Sequence, residues 1–461
     1  MDVTKGSLKK TVILLALPVV LRMTLQMIVG VVDLAFIGQL DSTEATAAVG
    51  MANQLVMTTI TVATAFTIGT TALIARYVGA KDPEKAGEVA QQSIVLTFGS
   101  GVILAILGSI FAESIMSFLV ERGAGDENTA EVIRQGTIYL RIIVFSLPLM
   151  FVMMNTNAIL QGAGDMKTPL YIMIFANSFN ILFDWLLIFG IGIFPQLGVA
   201  GAAIATGGAR SLAGLIGAIV LTRNKNFNLK LFQIKFDKKI IRDILKIGIP
   251  SAGEQGVRSS GQLIFTMIAA SLGPLAIASN AIVLKAMSFS FMPGFGFGLA
   301  ATTLVGQNLG AGNYKRAKEC GYLATKMAFI FMTGVGLFFF FGSDLIAMFF
   351  HKDESVRQVV SECIKILAIS QPALAFVMVM AGGLRGAGDT KFVLVTTMAG
   401  TWGMRVIVAY IFANLYGIHG LWYAMVLDNF VRAIMMFYRF KGEKWQEIKV
   451  GEQSKQSTAN A

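Results

Sequence analysis

The chain has few charged residues, and this shortage sets the class of protein. Only 14% of its 461 residues are charged, whereas 55% are hydrophobic. A soluble protein of this length needs a more polar surface to face water. Apolar stretches of lipid-spanning length recur from end to end and leave no room for a large soluble domain. The composition therefore indicates a protein that crosses a membrane several times.

Several chemical motifs are also missing. Cys320 and Cys363 are the only cysteines, too few for a disulfide framework or a metal cluster. The sequence has no Walker A motif, no HExxH motif, no clustered cysteine and histidine ligands and no aspartate-rich diphosphate-binding motif within a span. These absences argue against an enzyme and against a cofactor. Without a motif for ATP hydrolysis, any movement of solute across the membrane would have to be driven by an ion gradient or be passive.

The apolar stretches predict an all-α integral membrane protein with twelve transmembrane helices. Barrel strands need only about ten residues each, and these stretches are far longer. The first run follows three lysines like a signal peptide, but it is too long for an h-region and lacks a cleavage site, so we expect it to remain as a span. The predicted spans are 11–37, 47–75, 91–120, 132–160, 169–194, 198–222, 241–271, 276–306, 319–350, 357–384, 392–414 and 418–438.

The net charge of +11 comes from basic residues that are unevenly placed along the chain. Lysine and arginine gather at the termini and in alternate connections, and acids or mixed charges occupy the other connections. The positive-inside rule then predicts a multi-pass protein of the inner (plasma) membrane with both termini in the cytoplasm. Because the basic excess reflects topology, we expect the lipid bilayer and no nucleic acid as a partner.

The two halves of the chain are copies of one another. SLPLMFVMMNTNAILQGAGDMK from Ser146 aligns without a gap with SQPALAFVMVMAGGLRGAGDTK from Ser370. A weaker match pairs YVGAKDPEKA from Tyr77 with NLGAGNYKRA from Asn308. Since each copy has an even number of spans, the pattern predicts two six-helix lobes related by a parallel internal repeat, as in many secondary transporters.

The repeat and the charge pattern predict four regions. The basic connection between the lobes also contains Leu, Phe and Ile, which is typical of a segment lying on an anionic leaflet. A lipid-sensing role is the alternative for this connection. The polar tail is predicted to be disordered. The regions are an N-terminal lobe at 1–222, a basic cytoplasmic linker at 223–241, a C-terminal lobe at 242–440 and a polar cytoplasmic tail at 441–461.

Carboxylates deep inside the predicted spans are rare, and the first half has two, Asp33 and Asp184. Asn180 lies four residues before Asp184, and Asn177 lies three residues before Asn180, so a polar face runs along an apolar helix. Carboxylates and amides brought together could share a proton. They could equally offer oxygen ligands to a sodium ion, and the sequence leaves both open.

Three stretches together resemble the multidrug and toxic compound extrusion (MATE) family. They are LALPVVLRMTLQMIVGVVDLAFIGQL in the first span, the duplicated GAGD-x-K loops and NSFNILFDWLLIFG in the fifth span. The similarity covers essentially the whole chain. It implies a cation-coupled antiporter, driven by protons or sodium, that exports amphipathic or cationic organic compounds by alternating access. We expect such a transporter to be a monomer.

The resemblance also implies a coupling site. It assigns Asp33, Asn180 and Asp184 to the proton or cation site, and it adds Tyr139 of the fourth span and Thr206 of the sixth. Structural polar contacts between helices are the alternative interpretation of all five residues.

The second half does not duplicate the carboxylate pair, because Asp33 aligns near Phe265 and Asp184 near Val408. We therefore favour the branch typified by DNA-damage-inducible MATE proteins, with the coupling carboxylates in the N-terminal lobe. Glu254 lies one helical turn before Arg258, which predicts an ion pair. Asp428 could hold a second proton or pair with a nearby arginine. The possible secondary sites are Asn177, Glu254, Lys285 and Asp428.

The first span also contains Pro18. A proline inside a helix removes a backbone hydrogen bond and permits a bend, and Pro250 is its counterpart in the seventh span. We hypothesise that ion binding at Asp33 and Asp184 lets this helix bend at Pro18 and expel substrate. The alternatives are a flippase for lipid-linked saccharides and a non-transporting membrane scaffold or sensor.

Overall fold

The computed structural model describes most of the chain. The predicted linker and the end of the tail lie largely outside the described residues. Within the helices, side chains at 31, 33–35, 37–38, 43–45 and 121–123 are also outside the description. The described residues are 3, 6–38, 43–123, 129–224, 227, 236–448 and 450.

Among the described residues of the first half, seven helices cover the six predicted spans. The fourth span is divided, because its two helices meet at Ser146 with a bend of 50°. Pro148 lies in the first turn after this break, where its missing N–H costs no helical hydrogen bond. The helices are α1 (Leu8–Gly38), α2 (Thr43–Gly79), α3 (Pro83–Gly123), α4 (Thr129–Phe145), α5 (Leu147–Gly162), α6 (Lys167–Phe189) and α7 (Val199–Thr222).

In the described part of the second half, the chain forms six α-helices and one π-helical segment. The segment Ala399–Val406 is π-helical and joins the last two helices. Gly417, with φ 58° and ψ −140°, breaks the last helix and separates the eleventh span from the twelfth. The helices are α8 (Lys238–Ser271), α9 (Pro274–Gly310), α10 (Tyr314–Phe350), α11 (Glu354–Ala387), α12 (Thr390–Met398) and α13 (Ile407–Lys441).

The chain divides into two compact units. The N-unit consists of Leu21–Thr70 and Pro83–Ile244. The C-unit consists of Met1–Val20, Thr71–Asp82 and Leu245–Ala461. The start of α1 and the end of α2 thus belong with the second half of the chain. The predicted lobe boundaries remain a prediction.

Each unit has its own apolar core. In the N-unit, buried side chains from α2, α3, α4, α5 and α7 pack together, among them Met116 and Phe151. In the C-unit, Phe265 packs edge-to-face on Trp422 at 5.7 Å, and Val408 packs against the same core. Phe265 and Val408 are the positions aligned with Asp33 and Asp184, so the second copy uses them for apolar packing.

The duplicated GAGD loops have the same backbone conformation. The amide of Asp165 donates to a leucine carbonyl five residues earlier at 2.8 Å, and so does the amide of Asp389. Gly164 and Gly388 precede these aspartates with φ of +84° and +89°, a left-handed conformation that favours glycine. The repeat seen in the sequence is therefore also present in the backbone.

The weaker sequence match corresponds to a reciprocal contact inside the C-unit. A Cβ on Gly79 would lie 2.0 Å from the carbonyl oxygen of Gln307, and a Cβ on Gly310 would lie 2.0 Å from that of Arg76. Gly79 and Gly310 are aligned residues, so α2 and α9 meet through equivalent surfaces. Small residues allow this close approach of membrane helices.

The prediction of a disordered tail is wrong for its described beginning. Trp445 is fully buried and stacks on Phe440 with ring centroids 4.5 Å apart. Its indole nitrogen donates to the Phe440 carbonyl at 2.7 Å. The carbonyl of Ile448 accepts from the Arg76 guanidinium at 3.2 Å. Average polarity conceals these apolar side chains, which are enough to fix the segment on the C-unit.

We expect alanine at Gly79 or Gly310 to destabilise the protein, because the new methyl group would overlap a backbone oxygen. Overpacking costs about 1–3 kcal/mol, and the two variants should lose similar stability because their contacts are reciprocal. Gly334→Ala is the matched control, since nothing lies within 4 Å of a Cβ at that position. Thermal melting in detergent measures the difference. Equal melting temperatures for Gly310→Ala and Gly334→Ala would contradict the close contact.

Candidate functional site

The candidate site is built on one face of α6. Asp184 and Asn180 lie one turn apart and are only 1% and 4% exposed. The amide nitrogen of Asn180 donates to a carboxylate oxygen of Asp184 at 2.8 Å. A carboxylate in an apolar helix is costly without polar neighbours, and the four-residue spacing supplies one from the same helix.

Helix α7 brings a third predicted residue to this pair. The hydroxyl of Thr206 lies 3.4 Å from the amide nitrogen of Asn180. The two helices approach closely because α7 is rich in small residues. At Gly201, for example, a Cβ would lie 2.6 Å from the carbonyl oxygen of Leu187. The structure therefore brings Asn180, Asp184 and Thr206 together.

Tyr139, the fifth predicted residue, also belongs to the N-unit. It is buried on α4, and its hydroxyl donates to the side-chain oxygen of Asn53 on α2 at 3.4 Å. Sequence reasoning did not select Asn53. An amide in the apolar second span is the signal that could have found it, since such groups hydrogen-bond across membrane helices.

The structure does not connect two other predicted residues of the N-unit, Asp33 and Asn177, to this group. Asp33 belongs to α1, but its side chain is outside the described residues, so its position in the site stays a prediction. Asn177 is half-buried on α6, and its amide nitrogen has no hydrogen-bond partner within the described part of the chain.

The predicted hinge lies close to the boundary between units within α1. The helix is continuous through Pro18, and Val20 is the last residue of this segment in the C-unit. In the C-unit, a Cβ on Gly296 would lie 2.6 Å from the Val20 side chain. In the N-unit, the amide of Gln161 is oriented with its oxygen toward Arg22. The Arg22 guanidinium donates to this oxygen at 2.8 Å.

Glu254 of the C-unit is bound by two arginines. It is 3% exposed and accepts from Arg258 at 2.8 Å, which is the ion pair predicted from their spacing. Arg385 of α11 adds a bidentate contact, in which Nη2 donates to Oε1 of Glu254 at 2.6 Å and Nε donates to Oε2 at 3.2 Å. Sequence reasoning did not predict this second arginine, because it comes from a distant part of the chain.

Asp428 is also bound by two arginines. It is fully buried and accepts from Arg405 at 2.8 Å and from Arg432 at 2.6 Å. The predicted pairing alternative is thus what the structure shows, with both arginines engaged. Lys285, the remaining secondary candidate, is exposed on α9.

The α6 and α7 side chains offer oxygen atoms suited to a proton or a small hard cation. The carboxylate of Asp184, the amide oxygen of Asn180 and the hydroxyl of Thr206 are all hard donors of the kind that bind alkali and alkaline-earth ions. Within the described ranges, no group of three or more His, Cys, Asp or Glu residues could hold a metal ion.

Comparison with known families decides the class of protein. The MatE family model matches residues 18–186 and residues 250–411, one match in each half of the chain. The chain belongs to the MatE family. This MatE protein is 31% identical to the probable multidrug resistance protein NorM of Thermotoga maritima, over 95% of this chain and 94% of that relative. It is also 31% identical to the uncharacterized transporter YisQ of Bacillus subtilis, over 93% of each chain.

Solved MATE structures have the same fold as this MatE protein. A crystal structure of MATE in the bent conformation matches with a TM-score of 0.87 and 26% identity, over 96% of each chain. A multidrug resistance MATE transporter in an outward-facing conformation matches with a TM-score of 0.87 and 25% identity, over 96% of this chain and 97% of that one.

These similarities confirm the predicted fold class and the general function. The chain is an all-α integral membrane protein with twelve transmembrane helices in two six-helix lobes related by an internal repeat. It is a multi-pass membrane transporter of small molecules and not an enzyme.

Replacing Asn180 by leucine should destabilise the transporter. The substitution removes the amide that donates to Asp184, and an unsatisfied buried acceptor costs about 1–3 kcal/mol. Asn177→Leu, on the same helix, is the control, because the structure gives its amide nitrogen no described hydrogen-bond partner. Thermal melting in detergent compares them. If both variants melt together, the bond between Asn180 and Asp184 does not contribute to folding.

Proposed function

We propose that this transporter exports amphipathic or cationic organic compounds in exchange for protons or sodium ions. The observation that carries the proposal is the pair on α6, where a buried carboxylate, Asp184, accepts from the neutral amide of Asn180. Glu254 and Asp428, in contrast, each accept from two guanidinium groups. A buried carboxylate next to an amide offers oxygen atoms that can take up a proton or bind a small hard cation.

The proposed coupling site extends beyond this pair. Asp33 supplies the second carboxylate, and Thr206 and Tyr139 supply hydroxyl groups. Two interacting carboxylates titrate as a coupled pair, and the same oxygen atoms can bind sodium. The proposal therefore covers both ions and names one set of residues for them.

We further propose that ion binding controls a bend of α1 at Pro18. Coupling requires the ion to bind one conformation more tightly than the other. Similar MATE proteins have been crystallised in a bent and in a straight conformation and as a proline-to-alanine mutant. The bent and straight forms support a conformational change of this kind.

The proposed setting is the inner membrane, with both termini in the cytoplasm. The support for this orientation is the basic excess at the termini and in alternate connections. A single chain contains both copies of the repeat, which supports function as a monomer.

The two alternatives have less support. The name of the NorM relative refers to multidrug resistance, which does not favour a flippase for lipid-linked saccharides. A non-transporting scaffold or sensor should show no ion-dependent ligand movement and should tolerate substitution of Asp33 or Asp184.

We expect Asp33→Asn to abolish gradient-driven export. Dye efflux from proteoliposomes should be driven in turn by an imposed pH gradient and by an imposed sodium gradient. The wild type should respond to at least one of them, and the variant should fall to the rate of protein-free liposomes with both, because it has lost a titratable oxygen. Asp344→Asn, which changes an exposed acid on α10, is the control. Normal coupled efflux by Asp33→Asn would sink the proposal.

A further inference from the structure

A cluster of six charged residues lies in the C-unit, separate from the residues of the proposed coupling site. Helix α8, which carries Glu254 and Arg258, packs against the π-helical segment that carries Arg405, since a Cβ on Gly261 of α8 would lie 2.1 Å from the Thr401 methyl group. The two carboxylate sites therefore lie side by side and form one group. We call it the arginine cluster, and its members are Glu254, Arg258, Arg385, Arg405, Asp428 and Arg432.

The arginine cluster has more positive than negative charge. It contains four guanidinium groups and two carboxylates, and no other described carboxylate forms an ion pair with these four arginines. Unbalanced charge inside membrane-spanning helices is costly. Removing one partner from a buried pair is costly for the same reason. An anion bound next to the cluster would reduce this cost.

Arg258 is the most accessible arginine of the group. Its side chain is 32% exposed, compared with 9% for Arg405 and 5% for Arg432. It makes one described hydrogen bond, from a terminal nitrogen to Glu254, and its Nε atom has no described partner. A guanidinium is strongly disfavoured in hydrocarbon, so its exposed part is best explained by a polar, water-accessible space.

Two further buried polar groups near Arg258 have no hydrogen-bond partner among the described residues. Gln262 lies one turn further along α8, and its Nε2 atom is unsatisfied. Thr401 of the π-helical segment packs against α8, where a Cβ on Gly261 would lie 2.1 Å from its methyl group. The Thr401 hydroxyl is also unsatisfied. Amide, hydroxyl and guanidinium groups are all donors that carboxylate or phosphate oxygens can satisfy.

The π-helical segment makes room for this arrangement. A Cβ on Gly400 would lie 2.4 Å from a carboxylate oxygen of Asp428 and 2.5 Å from the Cγ atom of Arg432. Glycine is therefore needed at position 400, where the π-helical segment crosses the ion pair of Asp428 and Arg432. Short π-helical stretches inside α-helices are frequent at functional sites, and this one carries both Arg405 and Thr401.

We propose that the arginine cluster binds the anionic group of a small organic compound, a carboxylate or a phosphate, and that Arg258 contacts it. The planar guanidinium matches such groups through two parallel hydrogen bonds. This inference rests on the proposed function, because it names a chemical group of an amphipathic compound that the transporter would bind. The anionic group can belong to a soluble compound or to a lipid headgroup.

Equilibrium binding of carboxyfluorescein tests the proposal without any ion gradient. The full-length protein in neutral detergent is titrated with the dye, and anisotropy reports binding. Arg258→Gln should weaken binding about tenfold or more, as expected for one charge-assisted hydrogen bond, and Arg258→Lys should weaken it less. Arg210→Gln removes the same charge from a half-buried arginine of α7 and should leave binding unchanged.

The outcomes separate this inference from the proposed function. Absence of dye binding by the folded wild type, or equal weakening by Arg258→Gln and Arg210→Gln, would overturn the anion site. Retained dye binding together with loss of ion-coupled efflux would overturn only the proposed antiport. In nanodiscs, competition by added phosphatidylglycerol would assign the site to lipid headgroups, and absence of competition would assign it to soluble anions. Either result requires a site at Arg258.

Discussion

A charged side chain inside a membrane has to be matched by other polar groups, and the two units of this transporter meet that requirement differently. In the N-unit, the buried carboxylate of Asp184 accepts from a neutral amide of its own helix. In the C-unit, Glu254 and Asp428 are each surrounded by two guanidinium groups. The first arrangement suits reversible binding of a small cation, whereas the second fixes its carboxylates as counter-ions.

The backbone of the repeat is conserved between the halves while the chemistry of the side chains differs. Both GAGD loops have the same hydrogen bonds and the same left-handed glycine. The second half nevertheless has Phe265 and Val408 at the positions aligned with the two aspartates, and they pack in an apolar core. Duplication has thus provided two copies of one scaffold, and only one copy carries the predicted carboxylate pair.

The sequence predicts features that depend on local spacing. The spans follow from apolar length, and the contacts of Asn180 with Asp184 and of Glu254 with Arg258 follow from residues one helical turn apart. It does not predict partners from distant segments, such as Arg385 at Glu254, because nothing in the local pattern records them. The average polarity of the tail likewise predicts disorder, because an average does not reveal the single buried side chain of Trp445.

Two prolines at aligned positions of the repeat have different effects on the helix. Pro148 and Pro372 occupy aligned positions, yet the chain is bent next to Pro148 while α11 continues through Pro372. A proline permits a bend, and the packing around it decides whether the bend forms. For this reason, Pro18 of α1 could be identified as a candidate hinge from the sequence, but its behaviour during transport depends on the surrounding helices.

In the proposed mechanism, a carboxylate of the N-unit carries the coupling ion. The most direct measurement is the movement of protons and of sodium that accompanies dye export by reconstituted wild type and Asp184→Asn. One of these ions should move against the dye in the wild type, and neither should do so in Asp184→Asn. Ion movement of wild-type size in Asp184→Asn would contradict the account.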